Sequence, residues 1–340
     1  MSKPVDIKIA HINKNENTSN SINKDKVHEV FQQNINEKLK SFYRLQQEWV
    51  NSAYRNFNDF DTYLILMYLM NKVYINYSDR FHYMSMEAFY SQDKVGIEKI
   101  NLIEISKDLN IPKETVRRKI NYLQANDIII RSGKSIFLHS KGLGIQKPMI
   151  TIENMSSLLS KLSIYLSAED WFGKALEKED IKKFITEHFT VSWEYWYRFQ
   201  IPYLTRHRTF FGDIESWNVW GSIGLVQIRS LIEEINNNIS SLPKNYTDFY
   251  LYTLRHKPKR GINASSISDI SSIPRATVIR KLKTLEKNKH IMRNKRLEYF
   301  LAPKSDNLKG FEKNYLINQR RWSDYCTTMF NLMKFSKFSI

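Results

Sequence analysis

The stretch IPKETVRRKINYLQAN, residues 111–126, returns 162 positions later as IPRATVIRKLKTLEKN, residues 273–288. Shared are the Ile-Pro start, Thr115/Thr277, Val116/Val278, Arg118/Arg280, Lys119/Lys281, Leu123/Leu285 and Asn126/Asn288. In the first copy Val116, Ile120 and Leu123 recur at i, i+4 and i+7, the spacing of a helix with one apolar face. Pro112 suits a first helical turn, where its missing N–H is not needed. Inward positions stay apolar (Ile120 against Leu282), whereas outward ones change (Arg117 against Ile279, Asn121 against Lys283). That is one scaffold carrying two different faces.

The flanks of the two copies match in kind. NLIEISKDLN (101–110) reads as a short helix with Leu102, Ile105 and Leu109 inward, and IIIRSGKSIFLHS (128–140) as two β stretches around a Ser-Gly turn. Around the second copy, YTDFYLYTLRH (246–256) and NASSISDISS (263–272) are helical, and IMRNKRLEYFLAP (291–303) is a hairpin turning at Arg293–Arg296. Helix, helix, helix, hairpin is the order of a winged helix-turn-helix. Further upstream, residues 61–77 are apolar nearly all round, so a buried helix is expected, and Val27 to Phe57 reads as one long amphipathic helix. Residues 43–63 align with 197–217 at an offset of 154, pairing Tyr43-Arg44 with Tyr197-Arg198, Phe57 with Phe211 and Asp59 with Asp213. A larger unit is therefore expected to be duplicated, used twice rather than as a solenoid.

The expected class is mainly α: tandem winged helix-turn-helix domains with small β-hairpin wings, joined by a helical region. The expected order is a disordered tail over 1–25, a helix plus first winged helix over 26–145, and an aromatic-rich helical connection over 151–240. A second winged helix over 241–305 and a C-terminal helix over 311–340, suited to packing or dimerisation, complete it.

Composition agrees with this class. A chain of 340 residues, 42% hydrophobic, with only 10 Gly and 8 Pro, suits two packed, helix-rich domains. No apolar run reaches 18 residues and the start lacks an apolar secretory segment, so no membrane span is expected and a cytoplasmic location is the default. The single cysteine, Cys326, excludes an internal disulfide. The net charge is +17, and its location matters more than its size. Residues 241–310 hold 16 Lys/Arg against 5 Asp/Glu, whereas 151–240 hold 9 against 12. Basic charge clustered over one repeat suits a polyanionic partner.

A helix-turn-helix holds its second helix so that N-terminal side chains reach base edges in the major groove. In the first copy the outward candidates are Lys113, Thr115, Arg117, Arg118 and Asn121, beside Glu114, which is either a cytosine reader or a residue kept off the backbone. Arginine bonds guanine O6 and N7 together, and asparagine pairs with adenine. In the second copy they are Arg275, Thr277, Arg280, Lys281 and Lys283. The wing turns add Arg131 and Lys134, then Arg293, Lys295 and Arg296, placed to meet phosphate or the minor groove.

The segment IPRATVIRKLKTLEKNKHI with its basic hairpin resembles the winged helices of MarR-type and IclR-type bacterial transcription regulators. The resemblance covers about 60 residues, twice. In those families a Leu-Glu step leads through a glycine into the wing; here Leu285-Glu286 and His290-Ile291 stand in that step, with Lys289 at the glycine position and Asp127 in the first copy. The resemblance implies sequence-specific binding of double-stranded DNA, carried onto Thr115, Arg118, Thr277, Arg280 and the wing cations. MarR-type chains carry one winged helix and dimerise, so two in one chain imply a fused pseudo-dimer. Nothing matches the IclR-type effector domain.

Other motifs weigh less. RSGKS (131–135) resembles the end of a phosphate-binding loop, but Ile128 stands where that motif needs glycine, and the context is a hairpin. KGLG (141–144) reads as a loop. The aromatic run 192–211 is expected to be core packing rather than an effector pocket, and the effector stays open. The histidines show no metal-ligand spacing and no nucleophile–base pair is evident, so no cofactor, metal or enzymatic activity is expected. The expected function is a DNA-binding transcription regulator whose two recognition helices enter successive major grooves. Its alternatives are a plasmid- or phage-type replication initiator and an architectural or protein-interaction module, and a further homodimer stays open.

Overall fold

The computed structural model describes residues 21–336 apart from 34, 81, 98–100, 134, 146, 169–172, 238–242, 244 and 302–304. In chain order the described elements are α1 Lys24–Gln32, α2 Ile35–Phe57, α3 Phe60–Asp79, α4 Met86–Tyr90, β1 Lys94–Ile97, α5 Leu102–Leu109, α6 Lys113–Ala125, β2 Ile129–Ser132, β3 Ser135–His139, α7 Ser140–Ile145, α8 Met149–Ala168, α9 Lys178–Glu187, α10 Phe189–Phe211, α11 Ile214–Asn237, α12 Tyr246–Arg255, α13 Ala264–Ser271, α14 Arg275–Lys287, β4 Ile291–Arg293, β5 Tyr299–Leu301 and α15 Ser305–Phe335. The chain is mainly helical, with two small antiparallel sheets. Most of the tail expected over 1–25 lies outside the described residues; Lys24 and Asp25 open α1.

The described residues form two compact units: those within 1–27, 61–202 and 321–340 make the first, and those within 28–60 and 203–320 the second. The stretch 151–240, expected to connect the repeats, is thus shared between them. So is the order of the duplicated helices. The first unit holds α3, the second helix of the first repeat, with the greater part of α10, the leading helix of the second; the second unit holds α11 with α2. Each unit therefore combines the second helix of one repeat with the leading helix of the other.

In the first unit α3 is buried all round over 62–70: Leu64, Ile65, Leu66, Met67, Leu69 and Met70 have no exposed surface. Tyr74 meets Phe189 and Tyr197 of α10 at 6.1 and 5.8 Å between ring centroids, and Trp196 meets Tyr325 of α15 at 5.5 Å. The first part of the aromatic run is core packing, each such ring contributing roughly 1.5–3 kcal/mol by burial. The sheet order is β1-β3-β2, with Val95 and Ile129 both opposite Leu138 on β3. β1 was not legible in sequence: four residues, KVGI, show no sustained alternation.

The second unit carries the shorter equivalent. β4 pairs β5 with Ile291 opposite Leu301, and an isolated bridge joins Ile262 to Tyr299 where the other unit has its third strand. Both units thus run helix, extended segment, helix, helix, hairpin.

Two expectations need correction. Val27–Phe57 is not one helix but α1 and α2, because Phe31 packs on Phe42 with centroids 6.0 Å apart; eleven residues of unbroken helix would part them by about 16 Å. KGLG is not a loop but lies in α7, pressed so closely to the hairpin that a Cβ on Gly142 would stand 2.5 Å from the Ile128 carbonyl oxygen. Only glycine fits there.

The repeats agree in backbone as well as in sequence. At the offset of 162, left-handed residues coincide at Asn110 and Ser272 (φ 52° and 59°) and at Asp127 and Lys289 (φ 57° and 59°). At the offset of 154, Asn58 and Gly212 (φ 51° and 88°) mark the same turn between paired helices.

Candidate nucleic-acid interface

α6 and α14 start alike. Pro112 (φ −54°, ψ 136°) and Pro274 (φ −53°, ψ 136°) set the entry, and each helix is 13 residues long. They end alike too. The N–H groups of Asp127 and Ile128 donate to the carbonyls of Gln124 and Leu123, and those of Lys289 and His290 to Glu286 and Leu285. This paired bonding closes a helix through one left-handed residue. Val116, Ile120, Leu123 and their counterparts Val278, Leu282, Leu285 are buried. The inner stripe fixes the rotation of each helix, so the opposite face is determined.

Each pair of helices is also tied down from behind. In the first unit Tyr68 Oη donates to Asp108 Oδ2 at 2.7 Å and Lys72 Nζ bonds Glu104 Oε1 at 2.6 Å, holding α5 on α3. The Lys72 hydrogen bond, with that from Tyr68, pulls the Glu104 carboxyl below its ordinary range. In the second unit Asn51 Nδ2 donates to the Ile270 carbonyl at 2.6 Å and Asn218 Nδ2 to that of Ser271 at 3.2 Å, holding the end of α13.

On the outer face of α6, Glu114, Thr115, Arg117, Arg118 and Asn121 line one open depression. Lys113, Arg117, Arg118 and Asn121 are exposed and Thr115 is half-buried. Arg117 is already engaged: its Nη2 lies 2.7 Å from Glu114 Oε2 and its Nε donates to the same oxygen at 3.0 Å. Glu114 is thus neutralised locally. On α14, Arg275, Arg280 and Lys283 are exposed, Thr277 is half-buried, and Arg275 Nε donates to Ser265 Oγ at 3.1 Å.

Lys281 departs from the expectation. Its side chain is only 13% exposed and its Nζ bonds Asp213 Oδ2 at 2.6 Å. It turns inward, anchoring α14 to the corner before α11, because its place in the helix falls beside the apolar stripe. It is not available to a ligand and leaves the candidate set.

The two hairpins hold the remaining cations. Arg131 is exposed on β2; Lys134 lies outside the described residues. Arg293, on β4, stands 3.6 Å from Glu286 Oε1. Lys295 and Arg296 are exposed in the β4–β5 turn. Sequence reasoning missed what organises that turn. Asn294 Oδ1 accepts from the N–H groups of Arg296 and Glu298, both at 2.9 Å, and Asn294 Nδ2 donates to Glu298 Oε2 at 2.7 Å. Leu297, the last residue of the turn, is 60% exposed, with φ +59°. The asparagine was a readable signal, since its side chain favours such turns; the leucine was not.

The later part of the aromatic run lines a cavity of about 60 Å³ in the second unit, with Tyr203, His207, Phe210 and Phe211 in its wall. At ~10–15 Å³ per water, this is room for a few waters rather than a drug-sized ligand. Arg206 donates to Asn318 Oδ1 from Nε and Nη2, and Asn318 Nδ2 donates to His207 Nε2 at 3.1 Å. His207 is therefore held neutral: burial, with the Arg206 charge, lowers its pKa to about 3.

Among the described residues no group of three or more His, Cys, Asp or Glu side chains is placed to hold a metal, and no helix is long and apolar enough to cross a membrane. Comparison with protein-family models, curated proteins and solved structures finds no match to this chain.

Proposed function

We propose that the chain is a sequence-specific double-stranded DNA-binding protein acting as a transcription regulator, built from two tandem winged helix-turn-helix domains. The observation that carries this reading is the pair α6 and α14. Two helices of equal length, entered through the same Pro geometry and closed at the same position by a left-handed residue, each present an outward face rich in arginine and lysine. A positioned helix with arginine at its outer face is what major-groove readout needs.

Position by position, the two faces share a basic residue at the start (Lys113, Arg275), a threonine (Thr115, Thr277) and an arginine (Arg118, Arg280). They diverge where bases are told apart: Glu114 against Ala276, Arg117 against Ile279, Asn121 against Lys283. The target is then two unlike half-sites that share a guanine contact. Arg131, Arg293, Lys295 and Arg296 supply phosphate or minor-groove contacts beside them.

The experiment is a binding selection on random duplex DNA with the wild type, Arg118→Ala and Arg280→Ala. The expected result is a bipartite consensus in which each variant weakens one half, by roughly 1–3 kcal/mol. A bound pool with no consensus and a steep salt dependence points to architectural binding instead. Absence of binding rejects the reading.

A further inference from the structure

We propose that Leu297 is an apolar wedge that enters the DNA minor groove from the turn of the second wing and kinks the duplex; this rests on the DNA-binding reading above. The turn is built to present this residue. Asn294 ties the backbone of Arg296 and Glu298 to itself, and the Leu297 N–H donates to the Asn294 carbonyl at 3.1 Å. The turn is thereby held by its own hydrogen bonds, and Leu297 closes it 60% exposed.

Leucine is an unfavourable choice there on two counts. Its φ of +59° is left-handed, a conformation that penalises every side chain with a Cβ and a bulky one more than most. Its apolar surface faces water. The first hairpin has glycine at its own left-handed turn position, Gly133 at φ +60°. The three-residue turn sets the left-handed backbone, so what needs explaining is a costly, exposed leucine where glycine would serve, and an apolar partner offsets that exposure.

The neighbours say which. Lys295 and Arg296 immediately precede Leu297 and are exposed, with no ion pair among the described residues. Cations flanking a projecting aliphatic side chain match the minor groove, whose walls are phosphate and whose floor opens to base stacking when a wedge parts a step. A protein partner with an apolar socket would gain little from two adjacent unpaired cations.

The test uses the full chain and the duplex recovered by the selection, labelled at its two ends for energy transfer. Wild type is expected to shorten the end-to-end distance, as wedge-inserting proteins do with kinks of roughly 20–90°. Leu297→Gly is expected to bind within about tenfold of wild type, because the flanking cations keep their phosphate contacts, yet to leave the duplex straight. It should also unfold at a higher temperature, since it relieves the left-handed leucine. Leu297→Phe, which keeps an apolar wedge, is expected to keep the bend. Equal bending by wild type and Leu297→Gly, or a duplex left straight by wild type, overturns the wedge while the DNA-binding reading stands. Failure of the selection to recover any duplex removes both.

Discussion

Asp127 and Lys289 hold the same left-handed backbone, at φ 57° and 59°, each one residue before the buried isoleucine or histidine that leads into its hairpin. Each closes its helix through the same pair of carbonyl bonds. The conformation is required by the bonding, so the side chain is tolerated rather than selected for the turn. Left-handed backbone costs a residue such as lysine about 1–2 kcal/mol, whereas aspartate offsets part of this by local hydrogen bonding. Glycine removes the strain but adds about 0.5–1 kcal/mol of chain entropy to be lost on folding. Lys289→Gly is therefore expected to stabilise by about 0.5–1 kcal/mol, and Asp127→Gly to change little. Thermal unfolding of the two variants checks the order; a larger gain from Asp127→Gly contradicts it.

The same two residues show how far sequence carries this fold. The repeat was legible because its signal is local: Val116, Ile120 and Leu123 against Val278, Leu282 and Leu285 set a period that the structure keeps as a buried stripe. The left-handed turn at Asp127 and Lys289 was not secure, because the glycine that marks it is missing from both. β1 escaped because its hydrogen-bond partner, β3, lies some 40 residues on, and four residues carry no pattern of their own. Lys281 was misjudged because periodicity places a lysine near the edge of the apolar stripe without saying that Asp213 waits there. The combination of each repeat's second helix with the other's leading helix follows from packing between distant segments, which no local period encodes.

The inward turn of Lys281 separates it from Lys283 by a clear experiment. Lys281→Ala removes the charge-assisted bond to Asp213 and is expected to cost about 1–3 kcal/mol in stability. It should leave the salt dependence of the proposed DNA binding unchanged. Lys283→Ala is expected to do the reverse, with near-neutral stability and a salt slope reduced by about one phosphate contact. Binding titrations across salt concentrations, paired with denaturant unfolding, give both readouts. A salt slope that moves with Lys281→Ala returns that residue to the interface.

His207 makes stability sensitive to mild acid. Its pKa of about 3 in the folded chain lies below the ordinary value near 6.5, so the unfolded chain binds the proton first. The stability it contributes is whole above about pH 6.5 and is lost as pH falls from there toward 3, at up to about 1.4 kcal/mol per pH unit. His188 and His290, also lowered by burial, act in the same direction. His207→Phe keeps a ring to stack on Trp217, now 4.7 Å away, but cannot be protonated. It is expected to reduce the slope of stability against pH between 6.5 and 5 by about one proton, whatever its effect on absolute stability. An unchanged slope shows that the imidazole does not stay neutral.

Gln227 holds the second hairpin, on which the proposed wedge depends. It is 2% exposed on α11, and its Nε2 donates to the carbonyls of Thr253 at 2.6 Å, and of His256 and Leu301 at 3.2 Å. Its Oε1 accepts from the Leu301 N–H at 2.9 Å. One amide thus joins the end of α12 to the inner strand of the hairpin, where a three-residue β5 has few bonds of its own. Gln227→Leu matches the volume roughly but leaves the Leu301 amide and the Thr253 carbonyl buried without this partner, at about 1–3 kcal/mol for each group. A loss of roughly 2–4 kcal/mol is expected. Hydrogen exchange should rise first at Leu301 and its neighbours, with α6 in the other unit unaffected. If protection at β5 survives the substitution, the hairpin is held by its apolar residues alone, and the rigidity required of the Leu297 turn must come from Asn294 and Glu298.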